Sequence, residues 1–103
     1  MFDKKTEEKI NEAVTLELTN ACNLFGNTFH TLHEGYAVVK EELEETENDL
    51  EFVKDHFNSL WDAVKADNAQ SAKESAYMIA YNAIELAKEA CQIAAVARKI
   101  IGE

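Results

Sequence analysis

The chain has no proline, only three glycines and only two cysteines among its 103 residues. Without proline and with little glycine, few points force a helix to break, and strands lack the turn residues that would connect them. Cys22 and Cys91 form no CxxC motif, so we interpret them as buried thiols rather than as a disulfide or a zinc site. These absences predict an all-α protein.

Long apolar runs are also missing, since none approaches the roughly twenty residues that a membrane helix needs. The first residues lack the apolar segment of a secretory signal, and we therefore expect a cytoplasmic protein with no membrane partner. Twenty acidic residues against ten basic ones give a net charge of -10, which repels nucleic acid. An anionic small substrate would need bound cations to offset this charge.

Apolar residues recur at three- and four-residue steps along four segments of the chain. The predicted helices cover about residues 4–24, 34–54, 58–66 and 70–101. Gly26 is placed to end the first of them, and Asn68 or Ser71 to cap the last. No repeat or linker divides the chain. We therefore predict a single domain of residues 1–103, folded as an antiparallel bundle of about four helices.

Two predicted helices carry acidic stripes. Glu42, Glu45 and Asp49 share one line of the second helix, beside its apolar face. Alone, this pattern favours a solvated acidic face, because charge runs on surface helices are common. The last helix is rich in alanine and bears one polar stripe: Asn82, Glu85, Glu89 and Gln92. Carboxylates on a buried helix need a counter-charge, which Lys88 or Lys99 could supply but a metal shared by both stripes would supply better.

The residue types in these stripes restrict the metal. Oxygen ligands without histidine or cysteine suit Mg²⁺ first and Mn²⁺ next. A di-iron bundle of the ferritin type would need Glu-x-x-His, which the chain lacks. No glycine-rich phosphate loop or Ser/His/Asp set can be assembled. The stripes therefore predict a magnesium site between two helices.

Residues 41–45, EELEE, resemble the ExxE element of the MazG-like, all-α nucleoside triphosphate pyrophosphohydrolase superfamily. The signature of that superfamily is ExxE on one helix and ExxD on a later one. Residues 29–42 and 89–98 also resemble MazG-like proteins of phages and Gram-positive bacteria. The resemblance covers the chain from about Phe25 onward.

The resemblance implies hydrolysis of a nucleoside triphosphate to the monophosphate and pyrophosphate, with Mg²⁺ held by carboxylates. Glu42 and Glu45 match the ExxE ligands, Glu89 matches the first ligand of ExxD, and Gln92 stands where Asp is expected. Glu45 or Glu41 is expected to orient or deprotonate the attacking water. The candidate substrate contacts are Lys40, Lys54, His33, Trp61, Asn82 and Glu85.

Two alternative functions stay open. One is a catalytically weakened MazG-like protein that binds nucleotide or metal, and the Gln92 departure favours it. The other is a structural helical oligomerisation module whose acidic stripes are solvated. In each case the short chain and the alanine face of the last helix predict a homo-oligomer, either a dimer or a tetramer.

Overall fold

A computed structural model describes residues 2–102, and every regular element in that range is an α-helix. Helix α1 is Lys4–Phe25, α2 is Leu32–Lys65 and α3 is Ala69–Ile101. The all-α prediction is confirmed, whereas the two helices predicted over 34–54 and 58–66 form one continuous α2. Residues 55–57 contain no proline or glycine that would interrupt it. None of these helices combines the length and apolarity needed to cross a membrane.

Both ends of α1 are set by local hydrogen bonds. The Thr6 N–H donates to Asp3 Oδ1 at 2.8 Å, so Asp3 is the N-cap. This hydrogen bond holds the pKa of the Asp3 carboxyl below its ordinary value. At the other end, Gly26 has a φ of 89° and donates its N–H to the Cys22 carbonyl at 2.9 Å. The prediction that Gly26 ends this helix is confirmed.

The turn between α2 and α3 has the hydrogen-bond pattern of a Schellman motif. Asp67 adopts a φ of 52°, and its N–H donates to the Val64 carbonyl at 3.1 Å. Asn68 N–H donates to the Ala63 carbonyl at 2.9 Å, while its Oδ1 accepts from the Ser71 N–H at 3.1 Å. Asn68 therefore caps α3, and it is one of the two residues that the sequence predicted as the cap.

The chain divides into two compact units. Unit 1 comprises Met1–Leu43 and Glu89–Glu103, and unit 2 comprises Glu44–Lys88. The core of unit 1 is formed by α1 and α3 through Val14, Leu18 and Ala95, with Cys22, Cys91 and Ala94 packed against it. Both cysteines are free thiols that are half-buried, whereas the sequence predicted buried ones. The single domain of residues 1–103 stays a prediction.

Unit 2 is a helical hairpin made from the second part of α2 and the first part of α3. Among residues 44–88, Ala63 is the one buried apolar side chain. Asn82 is buried as well, and its Nδ2 donates to the Met78 carbonyl at 2.9 Å. The large exposed apolar side chains of this unit are Leu50, Phe52, Phe57, Trp61, Val64, Tyr77, Met78, Tyr81 and Ile84. Unit 2 thus has little core of its own.

Candidate metal centre

Glu42 of α2 meets Glu89 and Gln92 of α3 within unit 1. When the Gln92 amide is oriented so that each end faces a suitable group, its nitrogen lies 3.0 Å from Glu42 Oε2 and 3.0 Å from Glu89 Oε2. The nitrogen donates to both carboxylates, and such charge-assisted hydrogen bonds are stronger than neutral ones. A neutral amide therefore joins two acidic side chains that belong to different helices.

A third carboxylate follows one turn later along α2. One carboxylate oxygen from each of Glu42, Glu45 and Glu89 lies within 4.8 Å of the other two. Glu42 and Glu89 are half-buried, and Glu45 is exposed. Three like charges at this separation repel one another, which favours the binding of a cation among them. The three glutamates can therefore hold a metal ion, and an oxygen-only donor set suits a hard cation.

Glu42 and Gln92 also line a cavity of about 360 Å³ in unit 1. That volume lies within the range of small-molecule sites, roughly 300 to 1,000 Å³. Its apolar wall is formed by Ala21, Phe25, Phe29, Val38, Ala95 and Val96. Its polar groups are Glu17, Glu34, Glu42, Gln92 and Lys99. The cavity thus combines an apolar wall with charged groups of both signs.

Within residues 2–102, Lys99 is the one cation that lines this cavity, and it is only 6% exposed. Its Nζ lies 4.3 Å from the centroid of the Phe29 ring, which is a close cation–π contact. Gly35 permits this packing, because a Cβ there would lie 3.0 Å from Ile100 Cγ1 and 3.2 Å from Phe29 Cδ2. The start of α2 can therefore approach Phe29 and the end of α3 closely.

Three predicted site residues near the start of α2 lie outside this arrangement. His33, Lys40 and Glu41 are exposed, and none of them lines the cavity. Glu41 is also absent from the group of three glutamates, although it directly precedes Glu42. The structure thus brings together Glu42, Glu45, Glu89 and Gln92, and leaves these three side chains on the surface.

Each of the four substrate contacts predicted in unit 2 has a partner three or four positions away in its own helix. The pairs are Lys54 with Glu51 at 3.5 Å, Trp61 with Lys65 at 5.5 Å from the ring centroid, Asn82 with the Met78 carbonyl at 2.9 Å, and Glu85 with Lys88 at 2.9 Å. The hydrogen bond from Lys88 to Glu85 raises the pKa of Lys88. These local contacts account for the four side chains without a ligand.

Three polar lining residues were not among the predicted site residues: Glu34 near the start of α2, and Glu17 and Lys99 on the other two helices. Lys99 follows Gln92 by two helical turns, and Ala95 lies between them on the same side of α3. Glu17 follows the buried Val14 by one turn of α1. Helical periodicity could therefore have indicated that both side chains border the core.

Compared with known proteins, the chain matches no protein-family model, no curated protein and no solved structure at a significant level.

Proposed function

We propose that the chain is a magnesium-dependent nucleoside triphosphate pyrophosphohydrolase of the MazG-like type, acting in nucleotide-pool house-cleaning. It would convert an NTP or dNTP to the monophosphate and pyrophosphate. The observation that carries the proposal is the group of carboxylate oxygens from Glu42, Glu45 and Glu89, within 4.8 Å of one another. These are three of the residues that match the ExxE and ExxD elements of the superfamily.

In this proposal Glu42, Glu45 and Glu89 hold Mg²⁺. Bound at these residues, Mg²⁺ would supply the positive charge that offsets the negative charge developing on the phosphate groups. Glu45 is exposed, and we assign to it the orientation or deprotonation of the attacking water, with Glu41 as the alternative. Gln92 would offer its carbonyl oxygen to the metal by turning its amide away from the carboxylates.

The cavity lined by Glu42 and Gln92 would receive part of the nucleotide, since its apolar wall contains two phenylalanines. The predicted contacts from Lys40, Lys54, His33, Trp61, Asn82 and Glu85 remain part of the proposal. Those in unit 2 would first have to leave their partners. A substrate of this kind is consistent with a cytoplasmic location, and the net charge of -10 disfavours nucleic acid as a partner.

A homo-oligomer, either a dimer or a tetramer, also belongs to this proposal, and it would complete a MazG-like helical bundle. Support comes from the exposure of large side chains in unit 2: Phe57 is 61% exposed and Trp61 56%. Exposed apolar surface on this scale is typical of a face that another protein covers. Sedimentation at micromolar concentration should give a mass above that of one chain, and a monomer would contradict the oligomer.

The second candidate function is a MazG-like protein that binds nucleotide or metal with little hydrolysis. It is favoured by the Gln92 amide, which donates to Glu42 and Glu89 where the superfamily has a further carboxylate. A donor at that position competes with a cation for the same oxygens and contributes no negative charge. The site would then bind magnesium more weakly than an ExxD site.

The decisive experiment incubates the chain with a panel of nucleoside triphosphates and Mg²⁺ and measures released pyrophosphate. We expect the parent chain to release pyrophosphate. Glu42→Gln and Glu89→Gln should abolish this release, whereas Glu47→Gln, at an exposed position of α2, should leave it intact. Magnesium-dependent thermal stabilisation without pyrophosphate release would favour the second candidate. Absence of any magnesium effect would favour the structural oligomerisation module.

A further inference from the structure

Lys99 differs from the other lysines of the described residues in being buried without a carboxylate partner. The lysines that form ion pairs within residues 2–102 are Lys54, Lys65 and Lys88, each with an acid in its own helix. Lys99 instead has the Phe29 ring beneath its ammonium at 4.3 Å and is only 6% exposed. Burial of an ammonium group is unfavourable unless other groups offset the loss of its hydration.

The surroundings of Lys99 indicate what such a group could bind. It lines the same cavity as Glu17, Glu34 and Glu42. A free anion would meet the repulsion of these carboxylates, and a free cation would meet that of Lys99. A phosphate group chelated to a divalent metal avoids both penalties, because its metal faces the glutamates while a phosphate oxygen accepts from the ammonium.

We propose that Lys99 is a phosphate-binding residue, which donates a hydrogen bond to a phosphate oxygen of a metal-chelated ligand in the unit 1 cavity. The inference rests on the proposed function. It assigns the phosphate contact to a buried side chain that lines the cavity, whereas Lys40 is exposed and Lys54 is paired with Glu51. One face of the Phe29 ring is covered by the ammonium, so Phe29 positions Lys99 through that face.

The test is calorimetric titration of inorganic pyrophosphate into the whole chain at saturating Mg²⁺. Lys99→Met keeps an unbranched side chain of similar volume and removes the charge. We expect it to weaken pyrophosphate binding by roughly ten- to a hundredfold, the loss of one charge-assisted hydrogen bond. Lys99→Arg keeps the charge and should bind pyrophosphate more tightly than Lys99→Met. The matched control is Lys73→Met, an exposed lysine of α3, which should bind as the parent does.

Titration with Mg²⁺ alone separates a phosphate contact from a purely structural lysine. Removal of a positive charge near Glu42 should leave magnesium affinity unchanged or raise it, while pyrophosphate affinity falls. If Lys99 only supported the fold, its replacement would weaken the binding of magnesium and of pyrophosphate together. Parallel weakening, or a Lys99→Met variant that binds pyrophosphate as tightly as the parent, would overturn the inference. So would a parent that binds no pyrophosphate.

A measurement on the parent protein covers the case in which Lys99→Met fails to fold. The Nζ resonance of Lys99 should shift when pyrophosphate and Mg²⁺ are added, and that of Lys73 should not; an unmoved Lys99 signal contradicts the inference. Failure of the proposed function looks different. If pyrophosphate binding depends on Lys99 but no nucleotide is hydrolysed, the proposed enzymatic function is wrong and the phosphate contact is supported. If nucleotide is hydrolysed but Lys99→Met binds pyrophosphate as the parent does, the enzymatic function is supported and the phosphate contact is wrong.

Discussion

The two units of the chain are both helical, but they differ in how much of their apolar surface is buried. Unit 1 contains three helical segments. Val14, Leu18 and Ala95 form its core between α1 and α3, and the cavity and the contact of Glu42 with Glu89 and Gln92 belong to the same unit. In unit 2 two segments bury Ala63 and leave their aromatic side chains exposed. A pair of helices offers each apolar stripe a single neighbour, whereas three segments can enclose a core and still position polar groups at its border.

The comparison predicts that stability is concentrated in unit 1. Leu18 is 5% exposed, and Leu18→Ala should lower the free energy of unfolding by about 2 to 5 kcal/mol through lost burial and the resulting cavity. Denaturant unfolding measures the change. Leu16→Ala on the same helix, at a position 65% exposed, should stay within about 0.5 kcal/mol. Equal effects would remove the distinction between core and surface in unit 1.

Substitutions on the exposed apolar surface of unit 2 should change the self-association of the chain. Phe57→Asp places a charge on a side chain that is 61% exposed in one chain. If a second copy covers it, the dissociation constant of the oligomer should rise about tenfold or more. Sedimentation across a concentration series gives that constant. Leu24→Asp in unit 1, at a position 74% exposed, is the matched control, and loss of the oligomer in it alone would place the interface in unit 1.

Gln92→Asp tests what the amide does in the acidic group. The change removes the donor that joins Glu42 to Glu89 and adds a negative charge beside them. Without magnesium the variant should be less stable by about 1 to 3 kcal/mol. With magnesium it should bind the metal more tightly and hydrolyse nucleotide as fast as the parent or faster. Magnesium affinity no better than that of the parent would show that position 92 is not a ligand position.

Glu42→Gln and Glu89→Gln test whether two helices share one metal. Each change removes a negative ligand and keeps the side-chain volume, so magnesium affinity should fall roughly tenfold and the metal-free protein should be as stable or more stable. Thermal unfolding with and without Mg²⁺ measures both effects. The magnesium-induced rise in Tm should shrink in both variants and stay unchanged in Glu47→Gln. A rise that is undiminished in both would rule out the shared site.

The smallest effect is expected at the start of α1. The pKa of Asp3 is lowered by the hydrogen bond from the Thr6 N–H, so the charged carboxylate stabilises the folded state. That contribution is present above the unfolded-state value of 3.8 and is lost as the pH falls through the folded pKa. Asp3→Ala should lower Tm slightly at pH 7. The difference from the parent should vanish in strong acid, and a constant difference would contradict the charge effect.

Much of the fold follows from local sequence. The lack of proline and the three- and four-residue apolar steps predict helices throughout, and Gly26 and Asn68 mark two helix ends correctly. The predicted break between residues 54 and 58 was wrong because it rested on a weakened apolar pattern alone, with no residue that opposes a helix. Backbone propensity acts over a few residues, so the sequence displays it directly.

The candidate site could be predicted from the sequence only in part. The sequence by itself determined that α2 and α3 carry acidic stripes, because a period of 3.6 residues places each side chain on a known face. Only the tertiary structure decided that Glu42 meets Glu89 and Gln92, that the Gln92 nitrogen faces both carboxylates, and that Lys99 is buried against Phe29. Periodicity gives the direction of a side chain from its own helix. The distance to a neighbouring helix and the register between them depend on packing of the whole unit, as the close approach at Gly35 illustrates.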